Sequence, residues 1–147
     1  MFNALFEKIN DLVAQGLPLV LYVGGDSEDL PFSYTVGMAA FNLPDIILPV
    51  PIDFETARYV LTAVAKRWIQ DPLTVSAGDL TEIIDQMSVR VRFVDCHSEF
   101  TRRAHVATQY NAALYFVAPL PAQILLPDEF GSFPGEAHYK WVPQPFV

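Results

Sequence analysis

The chain has 147 residues, of which 52% are hydrophobic and 18% are charged, and its formal net charge is -8. These proportions exclude a disordered chain and predict one globular domain over residues 1–147 that ends in an aromatic, proline-rich tail at 136–147. The negative charge argues against a nucleic-acid partner or an anionic membrane surface. Cys96 is the single cysteine, so no internal disulfide can form and a cytoplasmic location is expected.

The first residues predict an amphipathic helix. Apolar side chains recur there at helical spacing, and Asn3 is suited to cap the first turn. Gly16 can adopt the left-handed conformation that often ends a helix, and Pro18 prevents its continuation.

A sheet is predicted to follow this helix. The residue types at 19–23 and 32–36 indicate two strands of a hairpin, joined by a polar turn at 24–29. The stretch 45–50 is a further apolar strand. Gly37 and Asn42 lie between the last two strands, where the chain has to turn.

The middle of the chain predicts a helix and then a strand. Asp53 is a good N-cap for a helix with a wide apolar stripe, and Asp71-Pro72 ends it. A short helical piece is expected over 80–85. Apolar and basic residues alternate over 89–93, which is typical of a strand with one wet face.

A third helix is predicted from Ser98 to about Tyr110. Two strands separated by prolines are expected over 114–126, and turn-forming residues indicate a loop over 127–135. The fold class that these elements predict is α+β: a single domain with a largely antiparallel sheet packed against two or three helices.

The tail contains Trp141 and Phe146, which are rarely left in water. We expect the tail to pack on the body of the domain or on another subunit, so a homo-oligomer such as a homodimer is one interpretation.

The residues that could carry chemistry do not form a complete catalytic set. Cys96 is a candidate nucleophile near a predicted helix start, although its neighbour His97 is poorly placed to activate it and a buried, inert cysteine is more common. The histidines lack the spacing of metal ligands, so we predict no metal and no cofactor. Gly24-Gly25 lacks the helix context of a dinucleotide loop, and Ser132 is misplaced for a hydrolase elbow.

The candidates for a general acid/base pair are Asp45 and Asp128, which follow prolines, together with Glu129 and Glu136. The alternative is that each aspartate satisfies the backbone amides of its own turn, which is the usual role of such residues.

Two sequence blocks resemble a mainly bacterial family known only as domain of unknown function 4262 (DUF4262). The first block contains PFSYTVGM at 31–38 and LPDII at 43–47, and the second contains QILLPD at 123–128 and GSFP at 131–134. The chain departs from the family pattern at Asp45, where Glu is usual, and at Gly135, where a bulky aromatic residue is common. The resemblance implies a single cytoplasmic domain without an established activity.

The residues of these blocks that could form a ligand-binding surface are Tyr34, Thr35, Gly37, Asp45, Gln123, Asp128 and Gly131. We therefore favour a module that binds a small ligand or a protein segment in a groove between the two blocks. This interpretation requires the Asp45 and Asp128 turns to meet in space. The alternatives are a hydrolase that uses these carboxylates or Cys96, a flavin-binding protein related to split barrels, and an interaction protein that associates through its tail.

Overall fold

The computed structural model of the protein describes residues 3–24, 31–94, 98–117 and 119–147. Most of the turn predicted at 24–29 and Cys96 lie outside these ranges, as does the side chain of Asn3 that was expected to cap the first helix.

In the described ranges the chain forms four α-helices and six strands. The helices are α1 (Asn3–Ala14), α2 (Phe54–Gln70), α3 (Glu99–Arg103) and α4 (His105–Ala113). The strands are β1 (Leu19–Val23), β2 (Phe32–Val36), β3 (Ile46–Leu48), β4 (Gly78–Ile84), β5 (Met87–Phe93) and β6 (Ala122–Leu125). Short 3-10 turns occupy Met38–Phe41 and Pro72–Thr74.

The six strands lie in one sheet in the order β1-β2-β3-β6-β5-β4. β3 and β6 run parallel, with Ile46 opposite Ala122, and the other neighbouring strands are antiparallel. The predicted α+β class with a largely antiparallel sheet is therefore confirmed. The strands that the structure describes make an open sheet with β1 and β4 at its edges, and this arrangement gives no support to a split barrel.

Helices cover both faces of the sheet. One face packs on the apolar stripe of α2, whose Leu61, Val64 and Trp68 are fully buried. The other face packs on α1, α3 and α4 through a cluster that includes Phe32 and Tyr34 of β2. This second layer positions α4 against β2 and β3, where the candidate site lies.

Local sequence explains several boundaries. Asp53 caps α2, since its side chain accepts a 3.0 Å hydrogen bond from the Thr56 amide. Gly16 has a φ of +78° just after α1, as expected for a helix end. Ser98 begins the third helical segment as predicted, but Ala104 leaves helical geometry and divides it into α3 and α4.

Two predicted elements are wrong. The stretch 80–85 is not a helix, because residues 80–84 belong to β4, where Leu80 pairs with Val89 of β5, and Asp85 lies in the turn that follows. Isoleucines at short spacing suit a strand as well as a helix. Leu114 is not the start of a strand. It ends α4, and the Phe116 amide returns to the Asn111 carbonyl at 2.9 Å. β6 is already paired with β3 on one side and with β5 on the other. A strand that began at Leu114 would therefore find no free edge of β6 to pair with.

The tail packs on its own sheet through its backbone, through Gln144 and through Phe146, whose ring lies 5.2 Å from the Arg92 guanidinium of β5. Gln144 is buried, and its side-chain amide pairs with the Leu126 backbone N–H at 2.8 Å and C=O at 2.7 Å. Trp141 and Phe146 remain 41% and 58% exposed.

No helix in the described ranges is both long enough and apolar enough to cross a lipid bilayer.

Candidate functional site

The Asp45 carboxylate is the centre of the candidate site. Asp45 directly precedes β3, and its carbonyl accepts a 2.9 Å hydrogen bond from the Ala122 amide of β6. Its side-chain Oδ1 accepts hydrogen bonds from the Thr35 hydroxyl at 3.0 Å and from the Met38 amide at 3.2 Å. The Met38 amide is available because Gly37, with a φ of +111°, turns the chain out of β2. The carboxylate is thus fixed by β2 and by the 3-10 turn after it.

Helix α4 brings two further polar side chains toward this carboxylate. The Asn111 side chain hydrogen-bonds Asp45, while its own Oδ1 is buried without a partner among the described residues. The Tyr110 hydroxyl donates a 2.6 Å hydrogen bond to Oδ1 of Asn10 in α1. Asp45 therefore lies where β2, β3 and α4 meet.

Burial raises the pKa of Asp45 to about 6 from its usual 3.8, even though the hydrogen bonds from Met38, Thr35 and Asn111 act to lower it. Burial also raises the pKa of Tyr34 and of Tyr110, and the nearby charge of Asp45 raises both further. The Val106 amide at the start of α4 acts in the opposite direction on Tyr34. The site consequently holds a carboxyl group that can gain or lose a proton near neutral pH.

A hollow of about 70 Å³ opens beside Asp45 between the sheet and the helical layer. This volume accommodates a few water molecules or a ligand group of similar size. Apart from the carboxylate and three hydroxyl side chains its walls are apolar; the lining residues are Tyr34, Asp45, Ile47, Thr101, Ala104, Ala107, Thr108, Pro119 and Pro121.

The Asp128 carboxylate is satisfied by backbone amides of its own turn and by one amide of the tail. Oδ1 accepts hydrogen bonds from the Phe130 and Ser132 amides, each at 2.9 Å, and Oδ2 accepts one from the Lys140 amide at 2.8 Å. Burial acts to raise the pKa of Asp128, but these backbone amides outweigh it and lower the pKa below its usual value. This is the turn role that the sequence left open as the alternative.

The prediction that the two aspartate turns share one hollow is wrong. Asp45 precedes β3 and Asp128 follows β6, and these strands run parallel, so the two residues lie at opposite ends of the sheet. The six residue steps from Ala122 to Asp128 span up to about 20 Å at the rise of an extended chain. Asp128 lines a different hollow, together with Asp79, Met87 and Phe133. Asp45 and Asp128 therefore do not form an acid/base pair.

A family model described as "Domain of unknown function (DUF4262)" matches residues 13–140, which include both aspartate turns. The chain belongs to the DUF4262 family. No curated protein and no solved structure matches the chain.

The other candidates of the DUF4262 blocks divide between the two ends of the sheet. Tyr34, Thr35 and Gly37 surround Asp45 as described. Gly131 has a φ of +83° and lies in the Asp128 turn, where its amide donates a 3.1 Å hydrogen bond to the Asp128 carbonyl.

Gln123 of β6 is paired with Ile47, which lines the Asp45 hollow. Its side chain, however, hydrogen-bonds the tail of this DUF4262 chain. It is fully buried, and its Oε1 accepts hydrogen bonds from Arg92 at 2.8 Å and from the Val147 amide at 3.1 Å. Its Nε2 donates to the Pro145 carbonyl. The side chain therefore anchors the tail rather than facing a ligand.

Cys96, the candidate nucleophile, lies outside the described residues, so its proposed reactivity stays a prediction. Within the described part of this DUF4262 chain, no group of three or more His, Cys, Asp or Glu side chains is arranged to hold a metal ion.

Sequence reasoning missed the contribution of α4 to the site. Tyr110 and Asn111 are both buried there, and Thr101 and Thr108 line the hollow. The signal was present, because Ala104 and Ala107 mark an inward helical stripe that continues to residues 110 and 111 at a spacing of three to four.

Proposed function

We propose that this DUF4262 domain is a small-ligand-binding module and that the hollow beside Asp45 is its site. The observation that carries the proposal is the position of Asp45: a carboxylate fixed by the Thr35 hydroxyl and the Met38 amide lines a hollow whose walls are otherwise mostly apolar. Apolar walls with a few fixed polar groups are the usual composition of small-molecule sites.

The energetics of the partly buried carboxylate support the same conclusion. Removing a charged carboxylate from water is unfavourable unless it is paired or hydrogen-bonded, and here the cost of burial exceeds the compensation from its hydrogen bonds, since the pKa is raised. A ligand that donates a hydrogen bond or carries a positive charge would offset the remaining cost. The hollow provides the space for such a group next to the carboxylate.

The proposal uses only the first of the two sequence blocks. Asp128 and Gly131 shape a turn at the far end of the sheet, and Gln123 holds the tail. We therefore propose a compact site bounded by β2, β3 and α4, in place of the groove between the two blocks that the sequence predicted.

The proposal is tested with four probes of equal chain length: n-butylamine, butanamide, 1-butanol and butanoate. We expect at least one probe to shift the backbone amide NMR signals of Tyr34, Ala107 and Thr108 in a saturable manner. Asp45→Asn, which keeps an acceptor for Thr35 and Met38, should weaken the best probe about tenfold, because a charge-assisted hydrogen bond is lost. Thr108→Phe, at an exposed lining position, should block the hollow without changing the carboxylate.

The matched control is Asp128→Asn. It alters a proline–aspartate turn of similar sequence that lies away from the hollow, so the melting temperature should fall while probe binding is retained. The proposal is abandoned if no probe shifts these signals, or if the shifts persist unchanged in both Asp45→Asn and Thr108→Phe.

A carboxylate-dependent enzyme is the second candidate, favoured by the pKa of about 6 at Asp45, which suits proton transfer near neutral pH. Asp45 would act alone as the general base, since Asp128 is at the other end of the sheet. Hydrolysis of p-nitrophenyl acetate that titrates near pH 6 and disappears in Asp45→Asn would favour this candidate. Equal rates in both proteins would leave binding as the function.

A further inference from the structure

A second hollow, of about 400 Å³, adjoins the Asp45 hollow on the outer side of α3 and α4. Thr101 and Thr108 line both hollows, so these side chains lie at the border between the two spaces. The other residues of the outer hollow are Arg102, His105 and Gln109, all of which are exposed.

The two hollows differ in charge. The inner one contains the Asp45 carboxylate, whereas the outer one is lined by the Arg102 guanidinium and the His105 imidazole and by no acidic side chain among the described residues. A basic rim is notable in a chain whose formal net charge is -8. The neighbouring Arg103 has a different role, because its guanidinium stacks on Phe32 at 4.9 Å and on Phe100 at 5.4 Å.

We infer that the two hollows form one site for a short dipolar molecule, with an amino group beside Asp45 and a carboxylate beside Arg102. This inference rests on the proposed function and names the class of its ligand.

An amino group fits the inner hollow for two reasons. An ammonium group is compact and carries three donors, so it suits a small space that contains one carboxylate and several hydroxyl groups. It also supplies the positive charge that a partly buried carboxylate lacks among its present partners, which are a hydroxyl, a backbone amide and a side-chain amide.

A carboxylate fits the outer hollow, because the planar fork of a guanidinium matches a carboxylate with two parallel hydrogen bonds. The apolar side chains of Ala104 and Ala107, with Pro119 and Pro121, line the space next to Asp45. A short methylene chain between the two charged ends would lie against these walls.

The experiment compares 4-aminobutanoate, n-butylamine and butanoate, which have four-carbon chains and differ only in their end groups. Dissociation constants are measured by NMR titration at about 0.15 M salt, where interactions between distant exposed charges are screened. We expect 4-aminobutanoate to bind about fivefold more tightly than n-butylamine, as one added exposed ion pair would give, and butanoate to bind most weakly.

Arg102→Gln tests the outer contact, and Arg58→Gln is its matched control. Arg58 is an exposed arginine of α2 that pairs with Glu55 at 2.8 Å, away from both hollows. Arg102→Gln should remove the fivefold advantage of 4-aminobutanoate and leave n-butylamine unchanged, whereas Arg58→Gln should change neither. Asp45→Asn should weaken both amines about tenfold.

The outcomes separate this inference from the proposed function. If n-butylamine binds in an Asp45-dependent way but 4-aminobutanoate has no advantage, or if Arg58→Gln has the same effect as Arg102→Gln, the dipolar ligand is refuted and the binding module stands. If the binding of neither amine depends on Asp45 while the binding of 1-butanol or butanamide does, an amino group is refuted as the ligand's end beside Asp45. If no probe depends on Asp45, both fail.

Discussion

Thr35 and Asp45 are joined by a hydrogen bond of 3.0 Å from the threonine hydroxyl to Oδ1, and the same hydroxyl accepts a 2.9 Å hydrogen bond from the Ile46 amide. One side chain of β2 therefore satisfies both the carboxylate of the candidate site and the first amide of β3. Because Thr35 is fully buried, no water can take its place without a rearrangement.

Replacing Thr35 by the nearly isosteric valine should remove both hydrogen bonds. We expect Thr35→Val to lower the free energy of unfolding by about 1–3 kcal/mol, since the buried Ile46 amide is left without a partner. Urea unfolding at pH 7 measures this loss. Thr35→Ser retains the hydroxyl and should recover part of it, and a loss as large as that of valine would show that packing rather than hydrogen bonding is responsible.

The raised pKa of Asp45 predicts a stability change between about pH 4 and pH 6. In this range the folded protein retains a proton at Asp45 that the unfolded chain releases, so the free energy of unfolding contributed by this residue falls as the pH rises and levels off above about pH 6. A shift from 3.8 to about 6 corresponds to about 3 kcal/mol at 1.4 kcal/mol per pKa unit. The other ionisable groups coupled to Asp45, Tyr34 and Tyr110, have pKa values raised above 10.0 and do not titrate there.

The measurement is the difference in unfolding free energy between the wild type and Asp45→Asn at pH 4 and at pH 7. Taking the difference cancels the pH-dependent stability contributed by other carboxylates. Asp128 is one of these, and because its pKa is lowered, the stability it contributes is lost as the pH falls. The asparagine variant should gain stability relative to the wild type on going from pH 4 to pH 7. A difference that is constant with pH would contradict the raised pKa.

Gly37 lies where a side chain has no room. A β-carbon there would be 2.9 Å from Cγ2 of Val13 and 3.4 Å from Cγ2 of Ile9 in α1, and the φ of +111° already disfavours any other residue. We expect Gly37→Ala to lower the free energy of unfolding by about 2–4 kcal/mol, from backbone strain and overpacking together.

Gly16→Ala is the matched control for this prediction. Its φ of +78° is also positive, but no atom lies within 4 Å of a β-carbon built there. The free energy of unfolding should therefore fall by only about 1 kcal/mol, which is the cost of the backbone strain alone. Equal losses at the two positions in thermal or urea unfolding would show that the contact with α1 is unimportant.

The Gln144 side chain imitates a neighbouring strand by pairing with both backbone groups of Leu126. Gln144→Ala should lower the free energy of unfolding by about 1–3 kcal/mol and speed hydrogen exchange of the Leu126 amide, because two buried polar groups lose their partner. Gln86→Ala, at an exposed position, is the control and should stay within about 0.5 kcal/mol of the wild type. Unchanged Leu126 exchange in Gln144→Ala would contradict the anchoring role.

The elements that the sequence predicts correctly are those whose cause is local. The cap at Asp53, the left-handed helix end at Gly16, the turn at Gly37 and Asn42, and the apolar stripe of α2 depend on residues within a few positions of each other. The stretch 80–85 was predicted as a helix because its short apolar spacing fits both periods, and only its pairing with β5 makes it a strand.

By itself, the sequence determined the α+β class, most helix limits and the two proline–aspartate turns, since each depends on short-range chemistry. Only the tertiary structure decided that these turns serve different purposes. The parallel pairing of β3 with β6 joins residues more than 70 positions apart and sends Asp45 and Asp128 to opposite ends of the sheet. The docking of α4 then encloses Asp45 beside a hollow, whereas backbone amides of the loop and of the tail satisfy Asp128. Contacts between residues so distant in the chain have no periodicity or composition through which sequence reasoning could detect them.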